Sequence, residues 1–143
     1  MFMGQYNHSV DAKGRLIIPA KYREELGEEF VITKNVDKCL TVYSKEEWKN
    51  VEGHLRELTA KNKNARKYMR FVFANASFCE PDKQGRVILN SALREYAGIE
   101  KDVVLIGVMD HIEIWSAQNW SDESQDEEME EIAEQMAELG FGI

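Results

Sequence analysis

The chain has 143 residues, 43% of them hydrophobic, which suffices for one well-buried domain or two small units sharing a core. Its formal charge of −8 is unevenly spread: residues 121–143 hold nine acids and no bases, leaving 18 bases against 17 acids before them, so the acidic total excludes little about the body's partners. No apolar run is long enough to span a membrane, "MFMGQYNHSV" lacks the basic-then-apolar order of a signal peptide, and Cys39 and Cys79 have neither CxxC spacing nor the number for a disulfide framework.

Taken in chain order, the first expected feature is a turn in "DAKGR" at 11–15, with Gly14 free to take positive φ between two short strands. "RLII" is β-branched-rich and of strand length, Pro19 fits the first turn of a short helix, and Gly27 closes it. "FVIT" and "CLTVY" read as two more strands joined by a polar turn. Residues 44–73 read as helical and broken near "TAKNKN", with Trp48, Val51, Leu55 and Leu58 on one face and Met69 and Phe73 further on. "DKQGR" at 82–86 then opens the same series again: "RVIL", a helix capped by Asn90 or Ser91 and closed by Gly98, then "DVVLIGV" and "IEIW". In the tail, Met129, Ile132, Met136 and Leu139 recur at helical spacing, with Ser121 or Asp122 as cap and Gly140 as stop. A terminal helix packed on its own barrel or on a neighbour is expected there. The competing reading is a helix whose nine acids compete with phosphate for a basic surface.

The second series is a repeat. "DAKGRLIIPAKYREELG" (11–27) aligns without a gap on "DKQGRVILNSALREYAG" (82–98), and "FVITKNVDKCLTVYSKEEW" (30–48) resumes on "DVVLIGVMDHIEIWSAQNW" (102–120) after one inserted residue. Asp11/Asp82, Gly14/Gly85, Arg15/Arg86, Arg23/Arg94, Gly27/Gly98, Ser44/Ser116 and Trp48/Trp120 fall in step. A unit of this size buries too little apolar surface to stand alone, so two copies gain most by pairing strands in one barrel. The expected fold is α+β, mainly β: an intramolecular pseudo-dimer with flanking helices. Its expected segments are repeats at 1–49 and 75–120, a helical connector at 50–74, and an acidic tail at 121–143.

Arg15 and Arg86 are the leading candidates for function. Each follows a glycine turn, where a rigid strand pair can hold a guanidinium at fixed height, and a two-stranded ribbon can enter the major groove. Lys13 and Lys83 lie in the turns, and Arg23 and Arg94 on the short helices. The spacing alone equally supports a structural reading, in which Asp11 and Asp82 pair with those arginines to staple the turns. Other chemistries have less support. His8, His54 and His111 lack metal-ligand spacing, "DAKGR" is not a phosphate-cradling loop, and carboxylates beside arginines are held as anions rather than poised for acid–base work. Tyr43, Trp48, Trp115 and Trp120 sit at matched repeat positions and read as core, and the basic stretch 45–70 as a solvated helix face.

With the two D-x-x-G-R motifs, the duplication, "FVFANASFCEPDKQGRVILNSALREYAG" and "EIWSAQNW" in view, residues 1–120 resemble the MraZ family. One copy alone is similar to the DNA-binding domain of AbrB-type regulators, which build a swapped-hairpin barrel from two chains. Asn90 stands where the family usually repeats the proline. The resemblance implies a duplicated AbrB-like swapped-hairpin barrel. It further implies a bacterial transcriptional regulator binding repeated operator DNA near cell-division and cell-wall genes, a ring-like homo-oligomer, and nucleoid association in the cytoplasm. It favours DNA contact by Lys13, Arg15, Arg23, Lys83, Arg86 and Arg94, with Asp11, Gly14, Asp82 and Gly85 shaping the motif. No enzyme activity, cofactor, metal, membrane or small-molecule substrate is expected. The alternative is a β-barrel interaction module whose arginines grip acidic partners.

Overall fold

The structure is a computed structural model and describes residues 1–142. The first repeat gives β1 (Gln5–Ser9), β2 (Arg15–Ile17), α1 (Ala20–Leu26), β3 (Phe30–Asn35) and β4 (Cys39–Ser44). A helical hairpin follows, α2 (Lys45–Thr59) and α3 (Lys63–Ala74). The second repeat reproduces the first as β5 (Ser77–Cys79), β6 (Arg86–Ile88), α4 (Ser91–Ala97), β7 (Asp102–Val108) and β8 (His111–Ser116). The chain ends in α5 (Ala117–Glu123), a single 3-10 turn over Asp126–Glu128, and α6 (Met129–Glu138).

Neither repeat is self-sufficient. β1 pairs antiparallel not with its own repeat but with β7, from Gln5 opposite Ile106 to Ser9 opposite Asp102. Reciprocally, β5 pairs with β3 of the first repeat, Phe30 opposite Cys79. The six-stranded sheet therefore runs β1-β7-β8-β4-β3-β5, a palindrome about the β8–β4 seam. The other shared element is a two-stranded ribbon of β2 and β6, Leu16 opposite Val87. This is the swapped arrangement expected of a pseudo-dimer, with sheet and ribbon as two separate hydrogen-bonded ladders. Strand exchange satisfies the edge groups that a lone repeat would leave unpaired.

The ribbon's inner side chains close the core. Leu16, Ile18, Val87 and Leu89 pack with Phe30, Ile32, Leu40, Val42, Val103, Leu105, Ile112 and Ile114 from one face of the sheet, all essentially inaccessible to solvent. At these positions the strands alternate as half-buried β-structure requires. On the opposite face, Val31 packs with Trp48 of α2 and Val72 of α3, and the Thr33 hydroxyl donates to the Val72 carbonyl at 2.6 Å.

The recurring Ser and Trp positions have a local explanation. Ser44 caps α2 by accepting from the Glu47 N–H, and Ser116 caps α5 by accepting from the Asn119 N–H. The residue before each cap packs on the fourth residue of the helix: Tyr43 on Trp48 and Trp115 on Trp120, both with ring centroids 5.8 Å apart. These are hydrophobic staples, which fix the angle at which the chain turns from strand into helix. The expected break at "TAKNKN" falls between α2 and α3, where Asn62 caps α3.

Three expectations need correction. Pro19 is the residue before α1 rather than within its first turn, its carbonyl accepting from the Tyr22 and Arg23 N–H groups. Leu58 is not buried with Trp48 and Leu55 and is 59% exposed, although it shares their helix face. The tail is two helices, not one: Ser121 and Asp122 lie inside α5, and α6 begins at Met129. α5 itself packs against β7 and β8, but beyond it the tail leaves the body rather than packing on its own barrel, every described residue from Ser121 to Gly142 being exposed. No helix is long and apolar enough to cross a membrane among the described residues.

Candidate nucleic-acid interface

The D-x-x-G-R pentamer is a turn organised by one carboxylate. One Asp11 oxygen accepts from the Lys13 and Arg15 backbone N–H groups, both at 2.9 Å, and the other accepts from Arg15 Nε–H at 2.6 Å. Asp82 repeats the set with Gln84 and Arg86, the Nε contact lying at 2.8 Å. Backbone bonds from Gly14 N–H to the Asp11 carbonyl and from Gly85 N–H to the Asp82 carbonyl close the turns. The arginine's backbone N–H, then its guanidinium, hold each carboxyl below the ordinary aspartate range. Both glycines sit at φ +80°, a region that strains a side chain.

Cross-strand pairing sets what the ribbon presents. Arg15 faces Ile88 and Ile17 faces Arg86, so the outer surface is a diagonal pattern of two arginines and two isoleucines. Ile17 is 42% exposed and Ile88 68% exposed, although the intervening Leu16 and Val87 are buried. Each arginine commits Nε to its aspartate, while its terminal Nη groups have no hydrogen-bond partner among the described residues. The staple and an outward-facing fork therefore coexist in one side chain. Lys13 and Lys83 are exposed in the adjoining turns. Phe78, 57% exposed, joins Arg15, Arg86 and Ile88 around an open depression beside the ribbon.

Arg23 and Arg94 occupy a different position. Arg23 Nε–H donates to the Ile18 carbonyl at 2.9 Å, and Arg94 Nε–H donates to the Leu89 carbonyl at 2.9 Å. Each guanidinium packs across the repeat boundary. A Cβ at Gly85 would lie 2.7 Å from Arg23 Cζ, and one at Gly14 would lie 3.4 Å from an Arg94 Nη. The turns are also cross-linked through the backbone, Ile18 N–H to the Gly85 carbonyl at 2.9 Å and Leu89 N–H to the Gly14 carbonyl at 2.8 Å. Each repeat thus braces the other's turn.

Sequence reasoning missed Ile17, Ile88 and Phe78. The signal for the isoleucines was present: strand alternation puts Ile17 on the face of Arg15 and Ile88 on that of Arg86. Elsewhere, burial pushes the Cys39 and Cys79 thiols up, which disfavours their thiolate forms. Among the described residues, no group of three or more His, Cys, Asp or Glu is placed to hold a metal ion.

A family model described as "MraZ protein, putative antitoxin-like" matches this chain twice, over residues 1–71 and 72–140. A protein of Acetivibrio thermocellus named "Transcriptional regulator MraZ" is 55% identical over 143 residues, covering 99% of this chain and all of that protein. Proteins of the same name from Thermoanaerobacter sp. and Lachnoclostridium phytofermentans are 56% and 50% identical, covering 99% and 100% of this chain and the whole of each relative.

Proposed function

The chain belongs to the MraZ family, and from that membership we propose that it is a sequence-specific DNA-binding transcriptional regulator whose reading element is the ribbon of β2 and β6. The observation that carries this reading is the pair of stapled arginines with free terminal forks beside two exposed isoleucines. Held by Nε, a guanidinium keeps two parallel N–H donors, the arrangement that matches guanine O6 and N7 or a phosphate. Cross-strand diagonal neighbours lie about 7–8 Å apart, roughly two base steps of about 3.4 Å. Arg15 and Arg86 contact base edges, Lys13 and Lys83 contact phosphates, and Arg23 and Arg94 act from behind by holding the turns, with phosphate contact open to their Nη groups.

In this reading residues 1–49 and 75–120 form one DNA-binding body. The connector at 50–74 and the tail at 121–143 lie outside it. One ribbon has few contacts, so operator affinity arises from several chains in a cyclic assembly acting on repeated sites, near cell-division and cell-wall genes in the nucleoid. Linkage of that kind raises avidity by roughly 10²–10⁴ without new contacts.

Selection from random duplexes, followed by fluorescence anisotropy, tests the reading. Arg15→Ala and Arg86→Ala are each expected to weaken the selected site by about 1–3 kcal/mol per lost base contact, with less loss on random DNA. A variant with unchanged melting and unchanged operator affinity would overturn the assignment.

A further inference from the structure

Two surfaces of opposite character are left unpartnered. The first is α6. Met129, Ile132, Met136 and Leu139 form a solvent-exposed apolar stripe, which Phe141 extends. The helix end is well specified: Gly140 N–H donates to the Ala137 carbonyl and Phe141 N–H to the Met136 carbonyl, which is a Schellman stop. Glu127, Glu131, Glu134 and Glu138 run at helical spacing alongside, none of them in an ion pair among the described residues.

The second surface is the α2–α3 hairpin. Residues 45–70 carry eight bases against four acids, and α3 has no acid at all. Lys63, Lys67 and Arg70 recur at the same helical spacing as Glu127, Glu131 and Glu134, and none is in an ion pair among the described residues. Leu58, Tyr68 and Phe73 are exposed apolar side chains on the same hairpin.

We propose that α6 of one chain docks, apolar face down, onto the α2–α3 hairpin of a second copy, its acids against the α3 bases. A partner of the same chain is favoured over the chain's own hairpin by the connection. Ser124 N–H and Oγ–H both donate to the Trp120 carbonyl, the 3-10 turn leads directly into α6, and every described residue from Ser121 to Gly142 is exposed, so α6 is not buried against its own body. The ribbon is the poorer receptor for an acidic helix. Its two turns carry two lysines and two arginines against two aspartates, and both arginines are already paired.

Charge reversal and rescue in the full chain tests this, read by sedimentation velocity over a range of concentrations. Glu131→Lys/Glu134→Lys/Glu138→Lys is expected to weaken self-association about tenfold or more, as is Lys63→Glu/Lys67→Glu/Arg70→Glu. Mixing the two reversed chains should restore a complex, and 0.5 M salt should weaken the wild-type assembly. Unchanged mass in either variant, failure of the mixture to associate, or a lower melting temperature at unchanged mass (docking within one chain) would each overturn the proposal. So would tighter DNA binding of the tail variant at unchanged mass, which would assign α6 to the ribbon. DNA affinity measured on Arg15 and Arg86 variants is a separate readout, so failure here leaves the DNA reading intact.

Discussion

Ile88 makes the sharpest demand on the chemistry of the ribbon. A β-branched apolar side chain beside two arginines, 68% exposed, leaves most of its apolar surface in water and lies outside the core. In a major groove the matching feature is the thymine methyl group, the apolar mark among the base edges. Ile88→Ala is expected to cost about 1 kcal/mol on a selected duplex with thymine at the contacted position, consistent with about 25 cal/mol per Å² of apolar area. The same variant should cost nothing on that duplex with uracil in place of the thymine. Anisotropy titrations of both proteins on both duplexes measure the coupling, and additive effects would remove Ile88 from base reading. Asp11 and Arg15 show how far single residues could be read beforehand. Their spacing left a staple and a DNA contact as alternatives, and only the placed atoms show that Nε makes the staple while the Nη groups have no hydrogen-bond partner among the described residues.

Turns and helices cooperate across the repeat boundary, and this was not legible in a linear chain. Gly85 announced a turn, yet the reason no side chain fits there lies in Arg23 of α1, 62 residues earlier. Gly85→Ala both strains φ +80° and drives a Cβ to 2.7 Å from the Arg23 Cζ. It is expected to destabilise the fold by about 1–3 kcal/mol. Combining it with Arg23→Ala should recover part of that loss, while backbone strain retains the remainder. Denaturant unfolding of the two single variants and the double variant would show the coupling; strict additivity would remove the brace. Caps and staples, by contrast, were visible as recurring Ser44/Ser116 and Trp48/Trp120, because their partners are three to five residues away. The tail was misread for a related reason: apolar periodicity specifies a helix without saying what covers it.

At the scale of the molecule, the two halves meet where β4 pairs with β8, and a titratable cluster lies on that seam. His111 sits 2.7 Å from Asp110 and 3.2 Å from Glu113, with the Tyr43 ring beside it at 5.8 Å. The Glu113 carboxylate, followed by Asp110, raises the imidazole above its ordinary 6.5, against the opposing effect of burial. His111, in turn, lowers Glu113 from 4.5. A raised histidine contributes stability that is complete below pH 6.5 and lost as pH climbs through its folded value. A lowered glutamate contributes stability present above pH 4.5 and lost as pH falls. The pair therefore favours the fold most between pH 4.5 and 6.5. Melting temperature should decline above that window, and His111→Gln should flatten the decline. An unchanged slope in that variant would place the titration elsewhere.

The exchange of β1 and β5 between repeats also governs the order in which a nascent chain can fold. As synthesis proceeds, β1 emerges early but its partner β7 starts 93 residues after β1 ends, at Asp102, so the first half waits at the ribosome with an open strand edge. Long-range closure of this kind is slow, and waiting edges invite mispairing. Two chains emerging side by side on one message hold identical β1 strands and identical β7 acceptors. A β1 taken up by the neighbouring chain would satisfy the same bonds as one taken up at home, so crowding of nascent chains on one message is where an entwined pair would compete with the closed monomer.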